Sequence, residues 1–202
     1  NIIFVNSDNF NNNDAEVLID QSQSVITQII GTANFDIGHT VSTGGGGLAG
    51  PSPCVSSRKA TGITGSPSPV GDPFDIDYVA HEIGHQFGAN HTFNAQTGSC
   101  AGGNRNLATA VEPGSGSTIM AYAGICGNND NVQRNSDAYF HQTSIKEITA
   151  FLLSSQNSCA VVISGTNATP TVTTQGNKTI PHSTPFILTA NGTDANNQNS
   201  LT

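Results

Sequence analysis

The stretch His81-Glu82-Ile83-Gly84-His85-Gln86-Phe87-Gly88-Ala89-Asn90-His91 decides how this chain folds and what chemistry it can carry. Residues four apart share one face of a helix, so His81 and His85 can grip a single metal ion. Val79, Ile83 and Phe87 fall on the other side and are expected to face a core. Glu82 stands beside the metal but off the ligand row, where a carboxylate serves as general base toward water. Gly88 lets the chain reverse sharply and return His91 as a third ligand. Three protein ligands leave a fourth tetrahedral zinc position open, the arrangement of a catalytic site. A chance match to three His, one Glu and one Gly at these spacings is on the order of 1 in 10,000 per chain.

Working outward, Asp72 reads as the N-cap of this helix, Pro73 as its first residue and Asp75 as a first-turn acid; the helix is expected to run to about Phe87. Upstream, Ile2-Ile3-Phe4-Val5 reads as a buried strand and Asn6 to Asn13 as a polar turn. Asp14 caps a second helix ending near Ile30, with Leu18, Val25 and Ile29 on one face and Gly31 as the stop. Asp36 to Thr43 and Ala60 to Thr64 are strand candidates. The run Gly44-Gly45-Gly46-Gly47 lacks the Lys-Ser/Thr of a phosphate loop, so it is a close-approach backbone segment. Residues 94–117 read as a long loop, and Ile145, Ile148 and Leu152 predict a helix over Ser144 to Leu153. After Cys159 the composition shifts. Ser164 to Pro170 is a polar linker, and the Thr-, Val- and Ile-bearing stretches from Thr171 onward resemble the first strands of a β-sandwich.

Only 10% of the 202 residues are charged and the formal net charge is −8. So acidic a surface repels phosphate backbones, which argues against nucleic acid as a partner. No apolar run is long enough for a membrane span, and no signal peptide is visible. Cys54, Cys100, Cys126 and Cys159 form no Cys-x-x-Cys pair. An even number of widely spaced cysteines fits two disulfides in an oxidising compartment, with three connectivities open.

His-Glu-x-x-His-x-x-Gly-x-x-His is similar to the signature of the metzincin zinc endopeptidases. Met120, the chain's one methionine, lies in Ser117-Thr118-Ile119-Met120-Ala121-Tyr122 and resembles the Met-turn of that clan. With Asp36-Ile37-Gly38-His39 and Ser42-Thr43-Gly44-Gly45-Gly46-Gly47, these segments look most like bacterial secreted reprolysin-like (adamalysin-like) metalloproteases over roughly residues 1–160. The resemblance implies an α+β (α/β) zincin fold. Its parts are a twisted mixed sheet, a backing helix, the active-site helix and an irregular lower subdomain ending in a helix. It implies Zn2+ on His81, His85 and His91, with Glu82 activating a zinc-bound water, and it implies protein or peptide substrates and secretion. Gly46, Gly47, Leu48 and Ala49 would form the edge strand to which a substrate adds antiparallel. It also implies the disulfides Cys54–Cys159 and Cys100–Cys126.

The sequence departs from that family at three places. Thr92 stands where reprolysins carry Asp. Tyr122 occupies a position at which astacins and serralysins place a tyrosine that steadies the transition state. A strand and helix that precede the Ile2–Val5 segment in a full metzincin are missing, whether removed or supplied by another chain or a pro-segment. The expected division is a catalytic domain over 1–163 and, over 164–202, a linker with the truncated start of an Ig-like β-sandwich. The alternatives are a catalytically inactive metal-binding adhesion module and a hydrolase of non-peptide amides. His39, His141 and His182 read as structural or surface histidines. The Asp- and Asn-rich segments Ser7 to Asp14 and Asn128 to Asn131 are candidates for Ca2+, with solvated turns the default. The pocket receiving the residue after the scissile bond is placed near residues 107–127.

Overall fold

The computed structural model of the chain describes residues 2–4 and 7–196. The chain divides into two compact units, Asn1–Ala160 and Val161–Thr202.

In the first unit, α1 (Ala15–Ile30) is capped by the Asp14 carboxylate, which accepts from the N–H groups of Glu16 and Val17. Gly31, at φ 81°, ends the helix. The buried positions of α1 are Leu18 and Ser22, whereas Ile29 is 53% exposed. The predicted face is therefore rotated, because Ser22 donates to the Ala60 carbonyl (2.8 Å) and turns that side of the helix onto the sheet. A buried hydroxyl with a fixed partner can define a packing face as an apolar residue does.

Three strands follow: β1 (Thr40–Ser42), β2 (Gly46–Ala49) and β3 (Gly62–Gly65). They form one mixed sheet in the order β1-β3-β2. β1 runs parallel to β3, with Thr40 opposite Ile63; β2 runs antiparallel to it, with Leu48 opposite Ile63. β3 is buried at every position, as a central strand must be, and β2 lies at an edge. Ile2, Ile3 and Phe4 are not in a strand, and Val5, the last residue of that expected strand, lies outside the described residues.

The helical run bearing the histidines has three parts: α2 (Asp72–Phe74), a π-helical stretch (Asp75–Ala80) and α3 (His81–Gln86). Its N-cap is Gly71 at φ 75°, not Asp72, and no side chain caps it. Pro73 sits in the first turn, where its missing N–H is harmless. Val79, Ile83 and Phe87 are only partly buried. The side chain that enters the interior is Gln86, which is fully buried and bonds Gly38 O (2.9 Å), Ser52 Oγ (3.1 Å) and His39 Nδ1 (2.8 Å). Gly62 makes room for it, since a Cβ there would fall on the Gln86 amide. His39 Nε2 in turn meets Thr64 Oγ1 at 2.7 Å, so the histidine is a structural link between β3 and α3.

Residues beyond α3 are mostly irregular, with short 3-10 turns at Gly98–Cys100 and Gly102–Asn104. The last helix, α4 (Gln142–Leu152), is capped by His141, whose Nδ1 accepts from Thr143 N–H (3.1 Å). Cys54 is joined to Cys159 and Cys100 to Cys126, the pairs the family resemblance implies. The architecture is of the mixed α+β type that the resemblance implies.

The second unit contains one antiparallel ribbon, β4 (Thr171–Thr174) with β5 (Ala190–Thr193). Every residue of both strands is exposed. No helix among the described residues is long and apolar enough to cross a membrane.

Candidate metal centre

His81 and His85 project from successive turns of α3. Phe87 caps that helix, and Gly88 at φ +85° turns the chain back. Here glycine is required because side chains rarely adopt that left-handed backbone. The return brings His91 to the same point. The Nε2 atoms of the three rings lie 3.1 Å (His81–His85), 3.0 Å (His85–His91) and 3.2 Å (His81–His91) apart.

The other ring nitrogens set the tautomers. His81 Nδ1 lies 2.7 Å from Ile119 O, His85 Nδ1 2.7 Å from Ala89 O and His91 Nδ1 2.5 Å from Asn104 O. A carbonyl oxygen can only accept, so each Nδ1 carries the proton and each Nε2 presents a lone pair. Three lone pairs aimed at one point cannot hydrogen-bond to one another; a cation satisfies them all. Zinc with Zn–N distances of about 2.05 Å in tetrahedral geometry would separate ligand nitrogens by about 3.3 Å, close to what is found. The donor set therefore fits zinc. Among the described residues this is the one group of three or more His, Cys, Asp or Glu side chains arranged to hold a metal.

The rings are also held neutral. Burial pulls His81 well below the ordinary 6.5, helped by His85 and His91. It lowers His85, and it brings His91 to about 4 with a contribution from His85. Neutral imidazole is the form that ligates.

Glu82 is buried, and burial pushes its carboxyl up to about 8. Its carboxyl packs on the backbone of β2, because a Cβ on Gly47 would overlap the Glu82 side chain. The edge strand and the acid thus share one cleft of about 410 Å3, whose lining includes Gly46, Gly47, His81, Glu82 and Tyr122. Tyr122 lies with its ring 4.5 Å from that of His91 and 5.5 Å from that of His81. Burial, then the charge of Glu82, raises its hydroxyl to about 12, so it stays a donor at neutral pH.

Met120 is fully buried beneath the histidines, packed with Ala89 and Ile119. Gly84 permits this approach, since a Cβ on it would collide with the Met120 sulfur. A larger cleft of about 920 Å3 lies along β1 and α1, lined by Phe4, Phe10, Val25, Phe35 and Val41 among others. It lies apart from the triad and is lined largely by apolar side chains.

Sequence reasoning missed two carboxylates. Glu147 of α4 accepts from Asn90 N–H (2.9 Å) and Asn90 Nδ2 (2.7 Å), clamping the segment between Gly88 and His91. Glu112 is buried and accepts from Thr92, Ser117 and Thr118. Their sequence signal is faint: each is an acid in a chain with few charges, and Glu112 directly precedes the Pro113-Gly114-Ser115-Gly116 turn.

The family model Reprolysin_2, described as metallo-peptidase family M12B, reprolysin-like, matches residues 2–155. No curated protein and no solved structure matches the chain.

Proposed function

The chain belongs to the reprolysin-like metallo-peptidase family M12B and is a zinc metalloendopeptidase; from this we propose that it is secreted and cleaves extended polypeptide segments laid along β2. The observation that carries the reading is the convergence of three neutral Nε2 lone pairs beside a buried carboxylate and an edge strand.

In this reading His81, His85 and His91 hold the ion. When bound there, Zn2+ supplies Lewis acidity toward a water and the scissile carbonyl. The outer edge of β2 offers backbone donors and acceptors to a substrate strand, which aligns one carbonyl at the centre. The charge of an ion held by the three histidines would return the Glu82 carboxyl, raised by burial, to its ionised form. In that form it takes a proton from the attacking water as the new C–O bond forms. It then delivers that proton to the nitrogen as the C–N bond breaks, which balances the hydrolysis. The Tyr122 hydroxyl donates a hydrogen bond to the carbonyl oxygen as charge develops on it. Met120 supports the rings from below, and Gly88 fixes the return of His91. Secretion is supported by the two disulfides, which persist in oxidising compartments. We read residues 164–202 as a linker and the first strands of an Ig-like β-sandwich, supported by the antiparallel pairing of β4 with β5.

Digestion of a mixed peptide library, read by mass spectrometry with Glu82→Ala as control, tests the reading. Cuts that vanish in the variant are expected. Zinc-loaded protein that binds peptides without cutting them would instead make it a binding module.

A further inference from the structure

We infer that Glu112 is a positioning residue for the metal centre: its carboxylate locks the segment that carries His91 to the turn whose Ile119 carbonyl holds His81. The inference rests on the metal reading given above.

Glu112 is 6% exposed. One carboxylate oxygen accepts from Thr92 Oγ1 at 2.6 Å and from Thr118 Oγ1 at 2.5 Å. The other accepts from the N–H groups of Ser117 at 2.8 Å and Thr118 at 3.2 Å. All four partners donate. An ionised carboxylate, which only accepts, suits such a cradle; an amide would turn an NH2 group against at least one donor. The hydrogen bonds outweigh the effect of burial and leave the carboxyl below its ordinary range, so it is charged at neutral pH.

The partners are what make this more than packing. Thr92 is fully buried and directly follows His91. Thr118 directly precedes Ile119, whose carbonyl receives the His81 Nδ1 proton at 2.7 Å. Glu112 N–H also donates to Thr92 O (2.9 Å), and Thr92 N–H to Met120 O (3.0 Å). Three chain segments therefore meet at one side chain: that of Glu112 itself, the segment in which Thr92 follows His91, and the turn that supplies the outer acceptor of His81. Gly116, at φ +67°, completes the cradle: a Cβ there would stand 2.6 Å from Ala121 Cβ and 3.0 Å from Glu112 Cβ and Cδ. Outer supports of this kind orient the ligating rings before the ion arrives, and their loss costs about 10–100-fold in metal affinity.

The test uses the full chain stripped of metal and titrated with Zn2+ against a chromophoric chelator, and with Co2+ followed by its visible absorption. Glu112→Gln and Thr92→Val are expected to bind Zn2+ about 10–100-fold more weakly than wild type and to give an altered Co2+ spectrum. Thr92→Ser, which keeps the hydroxyl, is expected to stay within about 3-fold of wild type, well inside that range. A folded Glu112→Gln protein with wild-type affinity and an unchanged Co2+ spectrum overturns the inference, even if its melting temperature falls. Should Glu112→Gln fail to fold, the threonine pair decides, and equal affinities for Thr92→Val and Thr92→Ser overturn it. A wild-type chain with no 1:1 Zn2+ uptake sensitive to His85→Ala would sink the metal centre itself, and the inference with it.

Discussion

Replacing Gln86 by Leu should destabilise the metal-free protein by about 3 kcal/mol while leaving every metal-ligating side chain in place. Leu is similar in size and at least as good a helix former, so α3 itself loses nothing. What is lost is the amide. Gly38 O and Ser52 Oγ, which both accept from Gln86 Nε2, would be left unpaired in the interior, and His39 Nδ1 would lose its partner Oε1. A buried polar group without a partner costs about 1–3 kcal/mol. Counting the carbonyl and the hydroxyl fully, and His39 only in part because it is not fully buried, the total is about 3 kcal/mol after the apolar gain of Leu is set against it. For a chain of this size each kcal/mol moves the melting temperature by about 2–4 °C, so a fall of about 6–12 °C is expected. The assay is thermal and urea unfolding in a chelator, since bound metal would add its own stabilisation. Ser52→Ala in the Gln86→Leu background should cost less than in wild type, because the two groups share one bond. A loss below about 1 kcal/mol, or strict additivity, would show that the network does not hold α3 to the sheet.

Tyr122→Phe should lower kcat by about 100-fold with metal affinity unchanged, if the hydroxyl steadies the developing oxyanion; unaltered turnover refutes that role. Gly47→Ala pushes a methyl into the Glu82 carboxyl, so kcat should fall by at least about 10-fold, the scale of a misplaced base, while Zn2+ uptake in the titration persists. Equal activity would mean that the carboxyl does not need its place against β2. His91 is held at about 4 in the fold against 6.5 when unfolded, so its neutral ring contributes stability that is complete above 6.5 and is lost as pH falls toward 4. Glu82, raised to about 8 by burial, contributes in the opposite sense as pH falls from 8 toward 4.5. Urea unfolding of metal-free wild type and His91→Gln should therefore diverge between pH 7 and 4, wild type losing up to about 3 kcal/mol more. Parallel curves would contradict a buried neutral His91.

Much of the site was legible because its chemistry is written in local spacing. His81 and His85 lie one helical turn apart, and Gly88 supplies the left-handed residue that a tight return to His91 needs. Asp14 announces α1 by the same local logic, since a cap bonds N–H groups two and three residues ahead. Such relations depend only on helix rise and backbone sterics, so the order of residues suffices to state them.

Tertiary structure alone decided the rest. Which face of α1 is buried depended on Ser22 finding the Ala60 carbonyl, a contact made across strand and loop. Gln86 enters the interior because Gly62, Ser52 and His39 leave an amide-shaped space there. Glu112 reaches Thr92 and Thr118 through loops with no period to read. The close approach of the Glu82 carboxyl to Gly47 likewise joins α3 to β2, two elements far apart in the sequence. Spacing along a helix is a property of the chain itself, whereas these meetings are settled only when the irregular segments close on one another and every buried donor must find an acceptor.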